Sequence, residues 1–144
     1  MSDLEMRRYI YDRVIGSGMV PRASEIARAV HVSEEAAIES LRRMHDAHIL
    51  VVDYAGEILM ANPFSAVPTA FEVRSGAKRW FGNCIWDALG ILAMLQIDGD
   101  VRTACSDCSV PITLEIRNGS IASQHSIVHF ALPVKQWWNN IVFT

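Results

Sequence analysis

The hydrophobic pattern is strongest between residues 82 and 95, where it predicts a buried helix. Apolar side chains recur there at three- and four-residue spacing, which is the pattern of one helix face. They are Ile85, Ala88, Leu89, Leu92 and Leu95. Gly82 and Asn83 are suitable residues for the start of this helix. We expect the apolar face to point into the core and the rest of the chain to be organised around it.

The residues before this helix show three shorter helical patterns and then a hairpin pattern. Ser2 and Glu5 have the spacing of a capping box, which predicts a helix that starts at Ser2. The predicted helices cover residues 2–15, 21–30 and 33–47, and the two arms of the hairpin cover residues 50–53 and 57–60. Three helices followed by a hairpin have the outline of a winged helix-turn-helix, so we predict such a domain over residues 1–61.

A second domain is predicted over residues 62–144. Residues 61–68 contain two prolines and no periodicity, which is typical of a linker and favours a boundary near residue 62. Strand patterns then cover residues 69–73, 78–81, 110–116 and 126–132, with a brief extended piece at 101–104 and a tight turn at Asn118-Gly119. The sequence therefore predicts an α+β protein, in which a winged-helix-like three-helix domain precedes a small mixed-sheet domain with a central buried helix.

Composition narrows the class of protein. The chain has 144 residues and 51% hydrophobic content, enough for a real core in one domain or two small ones. A net charge of −3 gives no general attraction for nucleic acid or anionic membranes. No signal peptide or membrane-spanning run is visible, so we expect a cytoplasmic protein without a membrane partner. The chain has three cysteines, and this small, odd number is unlike a disulfide framework. We therefore expect reduced thiols.

A winged helix suggests DNA binding, but the charges argue against it. The helix that would enter the major groove begins with Glu34 and Glu35, and these acids would face phosphate unfavourably. Only a weak basic edge is available, formed by Arg22, Arg28, Arg42 and Arg43. We therefore favour a packing role for this domain over nucleic-acid binding.

Cys84 and Asp87 are the first candidates for chemistry. They stand three residues apart at the start of the predicted buried helix, so their side chains share one face. The helix dipole favours a thiolate in the first turn, and a carboxyl beside it can hold or deliver a proton. A packed thiol and a capping acid are the alternative, but a carboxylate in so apolar a run is costly unless it is paired or its pKa is shifted. The pattern predicts that Cys84 is the most reactive thiol.

Two other motifs carry weaker signals. Cys105-Ser106-Asp107-Cys108 is a C-x-x-C, which can bind a soft metal or cycle as a dithiol, or simply form a structural turn. His125 and His129 would share a strand face, where sheet packing is the simpler interpretation, because no third ligand stands at a usual metal spacing.

The order of these elements resembles the organomercurial (alkylmercury) lyases. In that family the central helix carries a cysteine and, three residues on, an aspartate, which match Cys84 and Asp87. The segment from Cys105 to Ile112 resembles the family region where a structural cysteine precedes a proline and a strand, and residues 128–133 resemble the strand that follows.

The resemblance implies an enzyme that cleaves carbon–mercury bonds by protonolysis. Cys84 would bind the mercury of substrate and product, Asp87 would carry the proton, and Cys105 and Cys108 are further candidate mercury ligands. No cofactor is implied: Hg(II) is the product and solvent thiols are co-substrates. The partner is a small organometallic or soft-metal ligand. Two alternatives keep the fold, namely a non-catalytic soft-metal or thiol-binding protein and a winged-helix metal-responsive regulator.

The resemblance also bears on the end of the sequence. The family's second catalytic cysteine falls, when counted from Pro133, at the register of Phe143-Thr144, and the strand and helix that normally follow it are missing. We expect the natural product to continue past Thr144 with a selenocysteine or cysteine, because a selenocysteine codon is easily misread as a stop. We also expect a homodimer to cover the apolar C-terminal edge. Reading the gene beyond codon 144 tests the first expectation.

Overall fold

The computed structural model describes residues 2–122 and 127–142, and four α-helices lie in these ranges. They are α1 (Asp3–Ser17), α2 (Ala23–Ala29), α3 (Glu34–Asp46) and α4 (Ile85–Leu95). The predicted capping box of α1 is confirmed: the Glu5 N–H donates to Ser2 Oγ at 3.3 Å, and the Ser2 N–H donates to the Glu5 carboxylate at 2.9 Å. None of the helices among the described residues is long and apolar enough to cross a membrane.

Within the described residues, eight strands form two antiparallel sheets. The smaller sheet has the order β1-β2-β3, with β1 (Val51–Val52), β2 (Ile58–Ala61) and β3 (Phe64–Ser65). The larger sheet has the order β5-β4-β6-β7-β8, with β4 (Glu72–Ser75), β5 (Lys78–Phe81), β6 (Gly99–Ala104), β7 (Pro111–Arg117) and β8 (Ser120–Ile121). All strand pairs in the larger sheet are antiparallel, so the predicted mixed sheet is wrong. Short hairpins join most neighbours, and hairpins force antiparallel pairing.

The buried residues form two clusters. Helices α1, α2 and α3 pack with the smaller sheet around Ile10, Ile26, Leu41 and Leu50. Helix α4 covers the larger sheet and packs with Trp80, Val101 and Leu114. Burial of α4 is one-sided, because Ala88, Ile91 and Leu92 are buried whereas Trp86 is 65% exposed. The helix therefore presents one apolar face to the core, as its spacing predicts.

The segment predicted as a linker is structured. Phe64 is fully buried, and its strand β3 pairs with β2 although its ring belongs to the cluster around Trp80. The Tyr11 hydroxyl donates to the Asn62 carbonyl at 2.7 Å, which fastens the same segment to α1. The segment therefore joins the two clusters.

The strand predicted over residues 126–132 is also wrong over its described part. Residues 127–132 form no strand, and Ile127 is 93% exposed. Residue Ser126 lies outside the described residues. A 3₁₀ helix follows at Val134–Asn139, where the Trp137 indole N–H donates to the Leu132 carbonyl at 3.0 Å. This segment carries aromatic side chains toward the start of α4.

Candidate active site

The turn between β5 and α4 fixes the position of Cys84. β5 ends at Phe81, and only three residues separate it from the start of α4 at Ile85. Gly82 makes this possible, because a Cβ at that position would lie 2.5 Å from the Ala88 backbone nitrogen. Cys84 takes the N-cap position with extended backbone angles, and its side chain makes no capping hydrogen bond. The thiol is therefore free to interact with other groups near the helix start.

Asn83 holds the carboxyl of Asp87. The Asn83 side-chain amide donates to Asp87 Oδ2 at 2.9 Å. The charge of the Asp87 carboxylate raises the pKa of the nearby Cys84 thiol, as expected when a thiolate would form beside a like charge. Cys84 and Asp87 therefore lie together, as their sequence spacing predicts.

Burial controls the ionisation of both groups. It raises the pKa of Asp87, and the hydrogen bonds from Asn83 oppose this only partly. Burial is also the main reason that the pKa of Cys84 is raised, and the nearby Asp87 charge adds to it. Backbone N–H groups of Asp87 and Trp86 lower the pKa of Cys84, as the helix-start argument predicts, but they are outweighed. The prediction that the helix start favours the Cys84 thiolate is therefore wrong for the free protein.

Cys84 and Asp87 line a cavity of about 370 Å³. Its other walls are largely apolar and aromatic, and they come from β2, α4 and the C-terminal segment. The wall residues include Met60, Trp86, Phe130, Trp137, Trp138, Ile141 and Val142. The rings of Phe130 and Trp137 are 5.1 Å apart, and Trp138 stacks on His48 at 4.0 Å. Sequence reasoning missed this aromatic wall. Its only signal was the Trp137-Trp138 pair directly after Pro133.

Asn83 was predicted only as a helix-start residue, but it connects the site to the segment before β4. Its side-chain nitrogen lies 3.4 Å from Asn62 Oδ1 and 3.4 Å from the Pro63 carbonyl, besides donating to Asp87. Asn83 Oδ1 is buried without a hydrogen-bond partner among the described residues. Asn83 therefore orients the carboxyl of Asp87. Its contacts with the junction between the two clusters hold Asn83 in place.

The other predicted ligands are not in the cavity wall. Cys105 is half-buried and Cys108 is exposed, both in the connection between β6 and β7. Backbone N–H groups of Cys108 and Asp107 are the main cause that lowers the pKa of Cys105. His129 is exposed, and His125 lies outside the described residues. Within residues 2–122 and 127–142, no three His, Cys, Asp or Glu side chains are grouped as metal ligands.

The pKa directions reverse the expected order of thiol reactivity. We expect iodoacetamide at neutral pH to label Cys105 or Cys108 before Cys84, because alkylation needs a thiolate and burial disfavours that of Cys84. Peptide mass spectrometry after partial labelling measures the order, with the fully unfolded chain as the control for intrinsic rates. Faster labelling of Cys84 than of both others in the folded protein would contradict the pKa directions.

The fold and the site together define an α+β protein whose thiol and carboxyl, paired at a helix start, face a cavity with an aromatic wall. A sequence model of the family described as MerB: Alkylmercury lyase matches residues 64–144 of this chain. The match covers more than half of the sequence, and the chain belongs to the alkylmercury lyase family.

The fold is similar to that of a solved member. A structure described as "Crystal structure of the mercury-bound form of MerB2" aligns with a TM-score of 0.65 and 20% sequence identity. The alignment covers 84% of this chain and 58% of the other, so this chain spans less than two thirds of that protein's length. At this identity the likeness shows the shared α+β fold alone. No curated protein matches the sequence.

Proposed function

We propose that this protein cleaves the carbon–mercury bond of organomercurials by protonolysis, with Cys84 as the mercury ligand and Asp87 as the proton carrier. The observation that carries the proposal is that Cys84 and Asp87 lie together at the start of α4 and both line the cavity with the aromatic wall. Membership of the alkylmercury lyase family and the mercury-bound state of the similar structure support it.

In the first step the Cys84 sulfur takes the mercury. Mercury is a soft metal and prefers sulfur to oxygen or nitrogen ligands. The substrate arrives as R–Hg bound to a small thiolate. A Cys84–mercury bond forms, the bond from mercury to the small thiolate breaks, and the Cys84 proton passes to the Asp87 carboxylate, which lines the same cavity. Metal binding drives this transfer, because a coordinated thiol is deprotonated.

In the second step Asp87 returns the proton to carbon. A small thiolate binds mercury while the carbon–mercury bond breaks, and the electron pair of that bond takes the Asp87 proton. The products are the hydrocarbon R–H, an ionised Asp87 and Hg(II) held by Cys84 and the small thiolate. The raised pKa of Asp87 suits this role, since a general acid works best when its pKa lies near the working pH. Solvent thiols are co-substrates, and no resident cofactor takes part.

The aromatic wall supports the same chemistry in two ways. Trp86, Phe130 and Trp137 offer apolar surface for the organic group of the substrate. They also exclude water from the carboxyl, which keeps the pKa of Asp87 high and protects the bound proton from exchange. Asn83 is a positioning residue, since it acts on the substrate only through Asp87.

We propose that residues 1–61 form a winged-helix-like domain with a packing role. This domain supports the domain over residues 62–144, which would bind the mercury. Its three helices and the β1–β2 hairpin occur in the order that such a domain requires. Glu34 and Glu35 are exposed at the start of α3, and Arg43 is paired with Asp3 at 2.9 Å. These charges give no basic face for phosphate, so we propose no nucleic-acid partner.

The test is release of hydrocarbon from an organomercurial. Purified protein with methylmercury and excess thiol is expected to release methane, measured by gas chromatography, and the Cys84→Ala variant is expected to release none above the thiol-only background. Tight mercury binding by the wild type without methane release would overturn the enzyme and leave a soft-metal-binding protein. Methane release by Cys84→Ala at the wild-type rate would remove Cys84 from the mechanism.

A further inference from the structure

The connection between β6 and β7 holds two cysteines that the proposed reaction does not use. The strands pair up to Ala104 and Pro111, so the connection starts from a fixed base. The Cys105 N–H donates to the Val110 carbonyl at 2.9 Å, and the Ser109 N–H donates to the Cys105 carbonyl at 2.9 Å. Ser109 has a φ of 58°, the left-handed conformation that closes such a turn. The backbone thus keeps the two cysteines one turn apart.

Cys105 and Cys108 lie three residues apart in this hydrogen-bonded turn, so the backbone keeps both thiols in one short connection. Both cysteines are free, and Cys108 is exposed, so an ion from solvent can reach the pair.

The number of ligands selects the kind of metal. Zn²⁺ in structural sites takes four protein ligands, but the described residues contain no group of three His, Cys, Asp or Glu that could begin such a site. A pair of thiolates instead suits a soft ion that needs only two sulfur ligands, such as Hg(II) or Cu(I). The turn therefore has the donor set of a two-coordinate soft-metal site.

We propose that Cys105 and Cys108 form a two-thiolate surface site that binds Hg(II) separately from the cavity at Cys84. When Hg(II) arrives bound to two small thiolates, two bonds from mercury to the cysteine sulfurs form and the two bonds to the small thiolates break. Each departing thiolate takes the proton that a cysteine gives up. No atom changes oxidation state.

The sheet places this site on the same side of the protein as Cys84. Both β5 and β6 lie antiparallel to β4, so they run in the same direction and finish at the same end of the sheet. Phe81 and Arg102 both pair with Glu72, so two strand spacings of about 4.8 Å separate them, and Ala104 lies two residues beyond Arg102. Binding at the surface site needs neither Cys84 nor Asp87. The further idea that this Hg(II) is the product of the reaction in the cavity rests on the proposed function.

The experiment uses the full chain, reduced, with Cys84→Ser to remove the cavity thiol. Hg(II) is supplied as its bis-glutathione complex, and native mass spectrometry measures what stays bound. We expect one Hg(II) per chain with loss of two protons and no glutathione attached, because both sulfurs come from the protein. With Cys108→Ser added, the expected result is mercury that retains one glutathione, or no bound mercury. Ser106→Ala added to Cys84→Ser is the matched control and should keep the two-sulfur adduct.

Three results would overturn the site. They are no mercury on Cys84→Ser, mercury that still carries glutathione on Cys84→Ser, and an unchanged two-sulfur adduct after Cys108→Ser. Cys108 is exposed, so its replacement should leave the fold intact, and circular dichroism checks this. Methane release by the wild type is measured separately, which keeps failure of the surface site distinct from failure of the proposed reaction.

Discussion

Asp87→Asn is expected to lower the rate of methane release from methylmercury by about 10²- to 10⁴-fold, the usual contribution of a positioned general acid. The amide keeps the shape of the carboxyl but carries no proton for carbon. Mercury binding should persist, because the Cys84 sulfur is unchanged. Single-turnover gas chromatography with excess thiol measures the rate, and mass spectrometry measures bound mercury. A wild-type rate in this variant would reduce Asp87 to a structural role.

The stability of the Asp87→Asn variant provides a control. We expect the substitution to raise the free energy of unfolding while it lowers activity. The pKa of Asp87 is raised in the folded protein by burial, so the folded state holds its proton more tightly than the unfolded state. Its contribution to stability is therefore lost as pH rises through the interval between the unfolded and folded pKa values. Asp87→Asn should unfold at higher urea than the wild type at pH 7, and the difference should shrink as the pH falls below 3.8, the ordinary pKa of an aspartate. A less stable variant at pH 7 would show that the carboxylate is needed for the fold.

Trp80→Ala is expected to lower the free energy of unfolding by about 3–5 kcal/mol, the usual cost of removing a large core side chain. Trp80 is 1% exposed and belongs to the cluster that α4 covers. Its indole N–H donates to the Val14 carbonyl of α1 at 2.9 Å, and its ring packs near Phe64. Its loss would leave a cavity and remove one of the two donors to the Val14 carbonyl, to which the Gly18 N–H also donates at 2.8 Å. Urea unfolding followed by circular dichroism measures the change.

Trp86 provides the matched control for this prediction. It is the same residue type and lines the cavity, but 65% of its surface is exposed to solvent. Trp86→Ala should change the free energy of unfolding by no more than about 0.5 kcal/mol. If the two substitutions cost the same, the burial of Trp80 does not determine its contribution.

Local signals in the sequence were sufficient for the helices and for the position of the reactive pair. The capping box at Ser2 and the apolar spacing along α4 depend on neighbours within one helix turn, so they are readable without tertiary structure. The same spacing placed Cys84 beside Asp87. The prediction failed for ionisation, because burial is a property of the whole fold and here it outweighs the helix-start N–H groups.

The wrong predictions of secondary structure have the same cause, because strand formation also depends on the whole fold. Phe64 lies in a proline-rich stretch with no periodicity, and only its packing against Trp80 and its pairing with β2 make it part of a strand. Residues 127–132 have the β-branched content of a strand, but none of the described strands pairs with them. Strand formation needs a partner that composition cannot supply.

The structured junction also decides where the chain tolerates change. Asn62 accepts from Tyr11, Pro63 lies beside Asn83, and Phe64 forms a bridge with Gly82, so this stretch is bonded on several sides. A protease needs an exposed, loosely held segment, and an inserted tag needs the same. The proline-rich junction is thus a poor site for cleavage or fusion, despite its linker-like composition. The turn at Asn118-Gly119 is the better site, because both of its residues are exposed.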